Sequence, residues 1–393
     1  MAMIEEHPGL LGRPIYLDYN ATTPVDPRVL EAVTPFLAVE FGNPSSAHAY
    51  AETPRTALEH ARGQVADLLG AGTDEIIFAG SGSEADALAI RGAILSAVAR
   101  GHRRAHVITQ VTEHPAVLAA CRELQDWHGI DVTYLPVDGE GLVNPDDVAA
   151  AITADTVLVS VMHANNETGI LQPIADIASV TRREGVLLHS DAAQSVGKIE
   201  VNVDDLGVDL LTVVGHKMYA PKGIAALYIR QGIRLHPLVG GGGQERGLRA
   251  GTENVAFAVG LGKAADLAAR SLAEGEPGRL GGLRDRLADA LADRLPGRMH
   301  LHGHPTRRLP NTVNLRIDGV PDLASLATQA GVAASTGSAC HAGRDEPSPV
   351  LSAMGLDRED ALSAVRLSSG RWTQAWEVDQ VAERLAACAQ VIR

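Results

Sequence analysis

Short apolar runs recur along the first two thirds of this chain, each separated from the next by a stretch with helical periodicity. The runs are Ile76 to Ala79, Val107 to Thr109, Val132 to Leu135, Val157 to Val161, Val186 to His189, Leu210 to Val214 and Ala225 to Ile229. Between them, patterns such as Leu58, Ala61, Val65 and Leu68, closed by Gly70, mark one face of a helix. Repeated strand–helix units of this kind predict an α/β fold, a mainly parallel sheet with helices on both faces. The chain has 393 residues, more than one hydrophobic core usually serves. Beyond Glu253 the texture changes to a long Ala-rich helical stretch, a glycine-marked break near Gly275 to Gly282, and another helix. This predicts a large domain over 16–260 and a smaller α/β domain over 261–393, with the arm 1–15 packed on the smaller one. Aromatic residues are only 3% of the chain, so Ala, Val and Leu must fill the interior.

In such a sheet, residues that follow the strands emerge at the carboxyl edge, where ligands bind. Asp191 follows the run ending at His189, and Lys217 follows the run ending at Val214. An ordinary surface salt pair would also fit that spacing. A carboxylate and an amine at one edge, however, suit an aldehyde cofactor: the lysine can form a Schiff base and the acid can keep a pyridine nitrogen protonated. A third element points the same way. After Ile76 to Ala79 come Gly80, Ser81, Gly82 and Ser83, then a helix expected to begin near Glu84. Free backbone N–H groups at a helix start favour phosphate, and Ser83 adds a hydroxyl donor. Electron sink, Schiff base and phosphate cup together describe pyridoxal 5′-phosphate (PLP).

The chain resembles the cysteine desulfurases and selenocysteine lyases, class V members of the fold-type I PLP-dependent enzymes. The resemblance runs through "YLDYNATTPVDPRV", "FGNPSSAHAY", "EHPAVL", "VMHANNETGILQPI", "DAAQSVGK", "GHKMYAPKG", "GGGQERGLRAGTEN", "RLPNT", "GSACHAG" with "EPSPVL", and "VRLSSGR". It implies a homodimer that takes sulfur from L-cysteine, or selenium from L-selenocysteine, leaves alanine, and passes the sulfur to an acceptor protein. By the same resemblance His114 stacks on the cofactor ring and moves protons, Asn166 and Gln194 contact the ring hydroxyl, and Gly82, Ser83 and His216 hold the phosphate. Thr252 is implied to reach the partner subunit's cofactor, Arg366 to hold the substrate carboxylate, and Asn20 to line the substrate side. Two places depart from the family pattern. Val214 stands where Ser usually precedes "GHK", a feature shared with selenocysteine lyases. The "TESNN" pattern reads here as Ser83, Glu84, Ala85, Asp86 and Ala87.

Cys340 separates sulfur removal from plain transamination. It lies in "STGSACHAGRDEPSPV", a small and polar run without periodicity, expected to be a mobile loop. A thiolate there can attack the substrate sulfur, and His341 and Arg344 could lower its pKa. Cys121 and Cys388 sit in helical patterns and read as packing residues. Three cysteines without CxxC spacing argue against a disulfide framework or a zinc site and for a reducing compartment. A formal net charge of −14 disfavours nucleic acid and anionic membrane as partners. With an acidic start and no membrane-length apolar run, a cytoplasmic location is expected. An aminotransferase or a β-lyase would keep Lys217 and Asp191 but have no use for Cys340. A non-catalytic scaffold would tolerate loss of either.

Overall fold

A computed structural model describes residues 7–102, 104–336 and 346–391. Its first strand, β1 (Ile15–Tyr16), is followed by β2 (Ile76–Ala79), β3 (His106–Gln110), β4 (Asp131–Leu135), β5 (Thr156–Ser160), β6 (Leu187–Asp191), β7 (Leu210–Val214) and β8 (Ala225–Ile229). Among the described residues, β2 to β8 form one sheet in the order β2-β8-β7-β6-β5-β3-β4. All neighbours are parallel except β8, which runs antiparallel to both β2 and β7. The α/β reading with a mainly parallel sheet therefore holds. Because β8 alone is reversed, β2 to β7 all point their carboxyl ends to the same edge.

Side chains alternate across this sheet as the period of two requires. Ile76 and Phe78 of β2, with Leu188, Leu211 and Val213, join one core. Ile77 and Ala79, with Val107, Leu158, Leu210 and Leu227, join another on the opposite face. Helices cover both faces. On one, the helix Glu52–Leu69 ends at Gly70 in the left-handed conformation (φ 68°) and packs against the helix Val255–Ala273. That contact depends on a glycine: a Cβ on Gly262 would lie 2.5 Å from the Ala61 Cα. Residue 260, the expected domain boundary, falls inside this second helix, whose Leu261, Ala264 and Ala268 belong to the first core.

The second body is built from β9 (Met299–Leu301), β10 (Thr312–Ile317), β11 (Val332–Ala333) and β12 (Val365–Ser368). Strand β10 is central in an antiparallel ribbon with β9 and β12, and β1 pairs with β11. Ile15 and Leu17 from the start of the chain pack in its core with Leu283, Leu287, Leu315 and Leu385. The expected glycine-marked break at Gly275 to Gly282 is only two residues, Glu274 and Gly275. Gly275 adopts φ 85° and the helix Glu276–Arg294 starts at once, with Pro277 in its first turn, so Gly278, Gly281 and Gly282 are helical. No helix among the described residues is long and apolar enough to cross a membrane.

Candidate active site

The carboxyl edge of the sheet borders a cavity of about 540 Å³ lined by residues from the ends of several strands and from both bodies. At its phosphate-cup end, β2 stops at Ala79 and the helix Gly82–Ala99 begins. It starts two residues earlier than the sequence suggested. Ser81, not Ser83, takes the cap position, and its Oγ accepts from the Glu84 N–H at 3.2 Å. Gly82 and Ser83 are thereby first-turn residues whose N–H groups have no partner within the helix. Both line the cavity. Val214 fills the space beneath this turn: a Cβ on Gly82 would meet Val214 Cγ2 at 2.6 Å. The hydroxyl usual in the family is thus replaced by a packing contact that only glycine permits.

Asp191 ends β6 and is buried in the cavity wall. Its Oδ1 accepts from the Ala193 N–H at 2.9 Å. Burial raises its pKa, while His114, the Ala193 N–H and Lys217 pull the other way. Lys217 sits in the short turn Gly215–Lys217 after β7, and its Nζ donates to the carbonyls of Asn20 (2.6 Å) and Ala21 (2.8 Å). His114 caps the helix Pro115–His128, its Nδ1 accepting from the Ala116 N–H at 3.2 Å. With burial lowering its pKa, the imidazole is neutral with its proton on Nε2. His216 is neutral too, since burial pulls its pKa down to about 4. Its Nδ1 lies 3.1 Å from the Thr22 hydroxyl, and when Nδ1 accepts from that hydroxyl Nε2 is a neutral donor.

The two asparagines of "HANNE" divide the work. Asn165 is consumed locally, its Oδ1 accepting from the Glu167 and Thr168 N–H groups and its Nδ2 donating to the Thr112 carbonyl. Asn166 lines the cavity, as does Gln194. Gln194 already donates to the Asn20 carbonyl at 3.0 Å and accepts from Lys198 Nζ at 2.6 Å, leaving one amide hydrogen for a ring oxygen.

Asn20 lines the cavity and is held on several sides. Its Oδ1 accepts from Lys198 (2.9 Å) and Asn311 (3.1 Å), and its Nδ2 donates to Thr312 Oγ1 (2.8 Å). Its own N–H donates to Ser368 Oγ at 3.0 Å. The residue ties the sheet body to the C-terminal ribbon. Arg366, on β12, is only 1% exposed and lines the same cavity. Its Nη2 contacts Asp18 Oδ1 at 2.6 Å and its Nη1 donates to the Asn166 carbonyl at 2.8 Å. Thr252 is exposed and lies outside this cavity. Cys340, with His341 and Arg344, lies outside the described residues. The chain on either side is anchored beside Arg366: Ser335 bridges to it through backbone hydrogen bonds, and Pro349 and Val350 line the cavity. Cys121 is buried with its thiol pushed up to about 12 by that burial, and Cys388 is half-buried on the last helix.

Four residues of the site were not singled out as functional: Lys198, Asp18, Glu113 and Asp86. Glu113 and Asp86 line the cavity, and each has a buried carboxyl oxygen without a hydrogen-bond partner. The "VTEH" context offered a signal for Glu113, since a carboxylate in a strand-end turn at the ligand edge is a candidate by position alone.

The donor set fits PLP. The Gly82 and Ser83 N–H groups and His216 Nε2 suit a phosphate, Asp191 a ring nitrogen, Asn166 and Gln194 a ring oxygen, and Lys217 an aldehyde.

Comparison with known proteins gives a consistent answer. The family "Aminotransferase class-V" matches residues 15–381. A "Cysteine desulfurase IscS" of Dictyoglomus turgidum is 44% identical over 384 residues, 97% of this chain and 96% of that protein. Among solved structures, a "NIFS-LIKE PROTEIN" superposes with a TM-score of 0.88 at 34% identity, covering 96% of this chain and 100% of that one. "SspA in complex with cysteine" gives 0.80 at 37% identity, covering 90% and 98%. A cavity built around Lys217, Asp191 and a glycine-opened helix start, in a chain so similar to these proteins, leads to one assignment: this chain belongs to the class-V aminotransferase family, among the cysteine desulfurases.

Proposed function

We propose that this protein is a PLP-dependent cysteine desulfurase that converts L-cysteine to L-alanine and carries the sulfur as a persulfide on Cys340. The observation that carries the proposal is the meeting of the Lys217 amine, the Asp191 carboxylate and the Gly82–Ser83 N–H groups around one cavity. PLP, when bound, supplies an electron sink for the charge left at a substrate α-carbon.

The protein's own residues do the rest. Lys217 Nζ, turned away from the Asn20 and Ala21 carbonyls, takes the α-proton as an amine. Asp191 holds a proton at the ring nitrogen, and its burial beside His114 and Lys217 keeps that contact away from water. His114, neutral with its proton on Nε2, can cover the ring and donate at neutral pH. Arg366 receives the substrate carboxylate, with Asp18 and the Asn166 carbonyl orienting the guanidinium. Cys340 Sγ, as thiolate, bonds to the substrate sulfur; the carbon–sulfur pair stays on carbon, which takes a proton and leaves as alanine. Cys340 is four residues beyond Thr336, a reach of about 13 Å when extended, and Thr336 directly follows Ser335, which bridges to Arg366.

A homodimer in which the exposed Thr252 serves the partner's cofactor fits this reading, as does an acceptor protein with a basic patch facing an enzyme of net charge −14. The two cores support a sheet domain and a smaller C-terminal domain that takes in Ile15. The desulfurase name carried by the relative and the cysteine in the SspA complex favour sulfur over selenium.

The test is alanine formation by PLP-loaded protein with L-cysteine and L-selenocysteine in parallel. Activity on cysteine that vanishes in Cys340→Ser, while the visible absorbance of bound PLP survives, is the expected result. Retained sulfide release in that variant refutes the nucleophile. Lys217→Ala should lose the wild-type absorbance band; an unchanged spectrum refutes the lysine.

A further inference from the structure

Behind Asp191, on the face of the sheet covered by the helix Gly82–Ala99, four polar side chains form a closed set. Asp86 of that helix is 2% exposed, lines the cavity, and has one carboxyl oxygen, Oδ1, with no hydrogen-bond partner. That oxygen is 3.7 Å from His189 Nε2, too far for a hydrogen bond. The Thr212 hydroxyl lies 3.1 Å from His189 Nε2, and as a polar neighbour of Asp86 it pulls that carboxyl group's pKa down against burial. His189 Nδ1 is 2.9 Å from Ser160 Oγ. His189 precedes Asp191 by two residues on β6, and Thr212 is the register partner of Asp191 on β7. The set is therefore tied directly to the acid that faces the cofactor.

We propose that Asp86 is a positioning residue for Asp191: as a neutral carboxylic acid it heads the relay Asp86–Thr212–His189–Ser160 and adds no second negative charge directly behind Asp191. The inference rests on the PLP reading only for what Asp191 does.

Proton bookkeeping supports it. The Asp86 O–H donates to Thr212 Oγ1, the Thr212 O–H to His189 Nε2, and the His189 Nδ1–H to Ser160 Oγ. Each link from Thr212 to His189 then accepts once and donates once. His189 is held neutral by burial, its pKa pulled down to about 3. The titratable groups facing Asp86 are Asp191 and His189 from β6 and Glu113 from the turn after β3; Thr212 and Ser160 add hydroxyls without charge. Burial first, then the Asp191 and Glu113 carboxylates, raise the Asp86 pKa, with Thr212 opposing. An ionised Asp86 would set a second like charge near Asp191 and leave its buried Oδ1 without a partner. Asp86 also stands where the "TESNN" pattern has Asn, a side chain of nearly the same shape and no charge.

The experiment uses the whole protein and the variants Asp86→Asn, Asp86→Ala and Glu113→Gln. In apoprotein at neutral pH, the infrared carbonyl band of a protonated carboxylic acid should diminish in Asp86→Asn; Glu113→Gln identifies the share belonging to the other buried acid. A group whose pKa rises on folding costs stability as pH climbs above its unfolded value. The folded-to-unfolded ratio of wild type should therefore fall relative to Asp86→Asn, by up to about tenfold per pH unit above pH ~4. PLP affinity should drop about tenfold or more in Asp86→Ala, which strands the Thr212–His189 relay, and recover in Asp86→Asn. An acid band unchanged in Asp86→Asn, a stability ratio moving the opposite way with pH, or equal PLP affinity in all three proteins overturns the proposal. Wild type that binds no PLP would instead sink the cofactor reading, and the infrared and stability results would still decide the state of Asp86.

Discussion

Glu245→Gln is expected to destabilise the protein by about 3 kcal/mol. Glu245 and Arg62 form a two-pronged pair at 2.8 and 2.9 Å, with both side chains almost completely buried. The same carboxylate accepts from the Phe78 N–H at 2.8 Å, which pins β2 just before the phosphate turn. Removing one charge from a buried pair costs about 3–5 kcal/mol, because the other is left without compensation. The low end applies here, since Arg62 keeps the Ile76 carbonyl and Glu59. Glu59 is too exposed to replace the lost partner; such surface pairs are worth about 0–1 kcal/mol. With a urea slope of about 3 kcal/mol/M for a chain of this size, the midpoint should fall by about 1 M. PLP affinity should weaken with it, as β2 loses its brace. Arg62→Met combined with Glu245→Leu should cost less than either single change, because a hydrophobic pair leaves no buried charge. A loss under about 1 kcal/mol in Glu245→Gln, or a double variant as damaged as the sum of the singles, would show that the pair is effectively solvated and refute the reasoning.

Gly82→Ala should drive a methyl group into Val214, a stiff β-branched side chain. Overpacking of about 1–3 kcal/mol predicts PLP binding weaker by roughly tenfold, and Val214→Ala should restore it; titration of the cofactor into both proteins checks this. Acid should destabilise the fold through its buried neutral histidines. His163, His189 and His216 are pulled down to about 4, 3 and 4 by burial, below an unfolded value of about 6.5. Their contribution is complete above pH ~6.5 and is lost as pH falls through that value toward 4, by about 1.4 kcal/mol per unit for each group. Denaturation midpoints of wild type and His163→Asn between pH 4 and 7 measure it, and an equal slope in both proteins would contradict it.

The strands of the sheet were legible because each apolar run is short, β-branched and bounded. Ile76–Ala79, Leu210–Val214 and Ala225–Ile229 match the structure end to end. The reversal of β8 was not legible, since a buried strand carries no mark of its direction. Glycine misled at the second domain, where Gly278, Gly281 and Gly282 looked like a break but lie inside a helix begun by Gly275 and Pro277. In the site, Lys217, Asp191 and the Gly82–Ser83 turn stood out because strand ends announce their own position. Lys198, Asp18 and Asp86 did not, since their meaning depends on partners far away in the sequence. The Arg62–Glu245 pair spans 183 residues, and nothing local signals it.

Asn20 has a bearing on how the protein is made. The side-chain and amide hydrogen bonds that hold it reach from 146 residues onward, at Asn166, to 348 residues onward, at Ser368. During synthesis the parallel sheet can close on itself once β8 has emerged, while Asn20 still waits for Asn311, Thr312 and Ser368. Contacts so distant in sequence form late. A nascent chain therefore holds Lys217, Asp191 and the Gly82–Ser83 turn in place well before the wall that includes Arg366 exists, and the cavity is completed only when segments from near the two ends of the polypeptide have met.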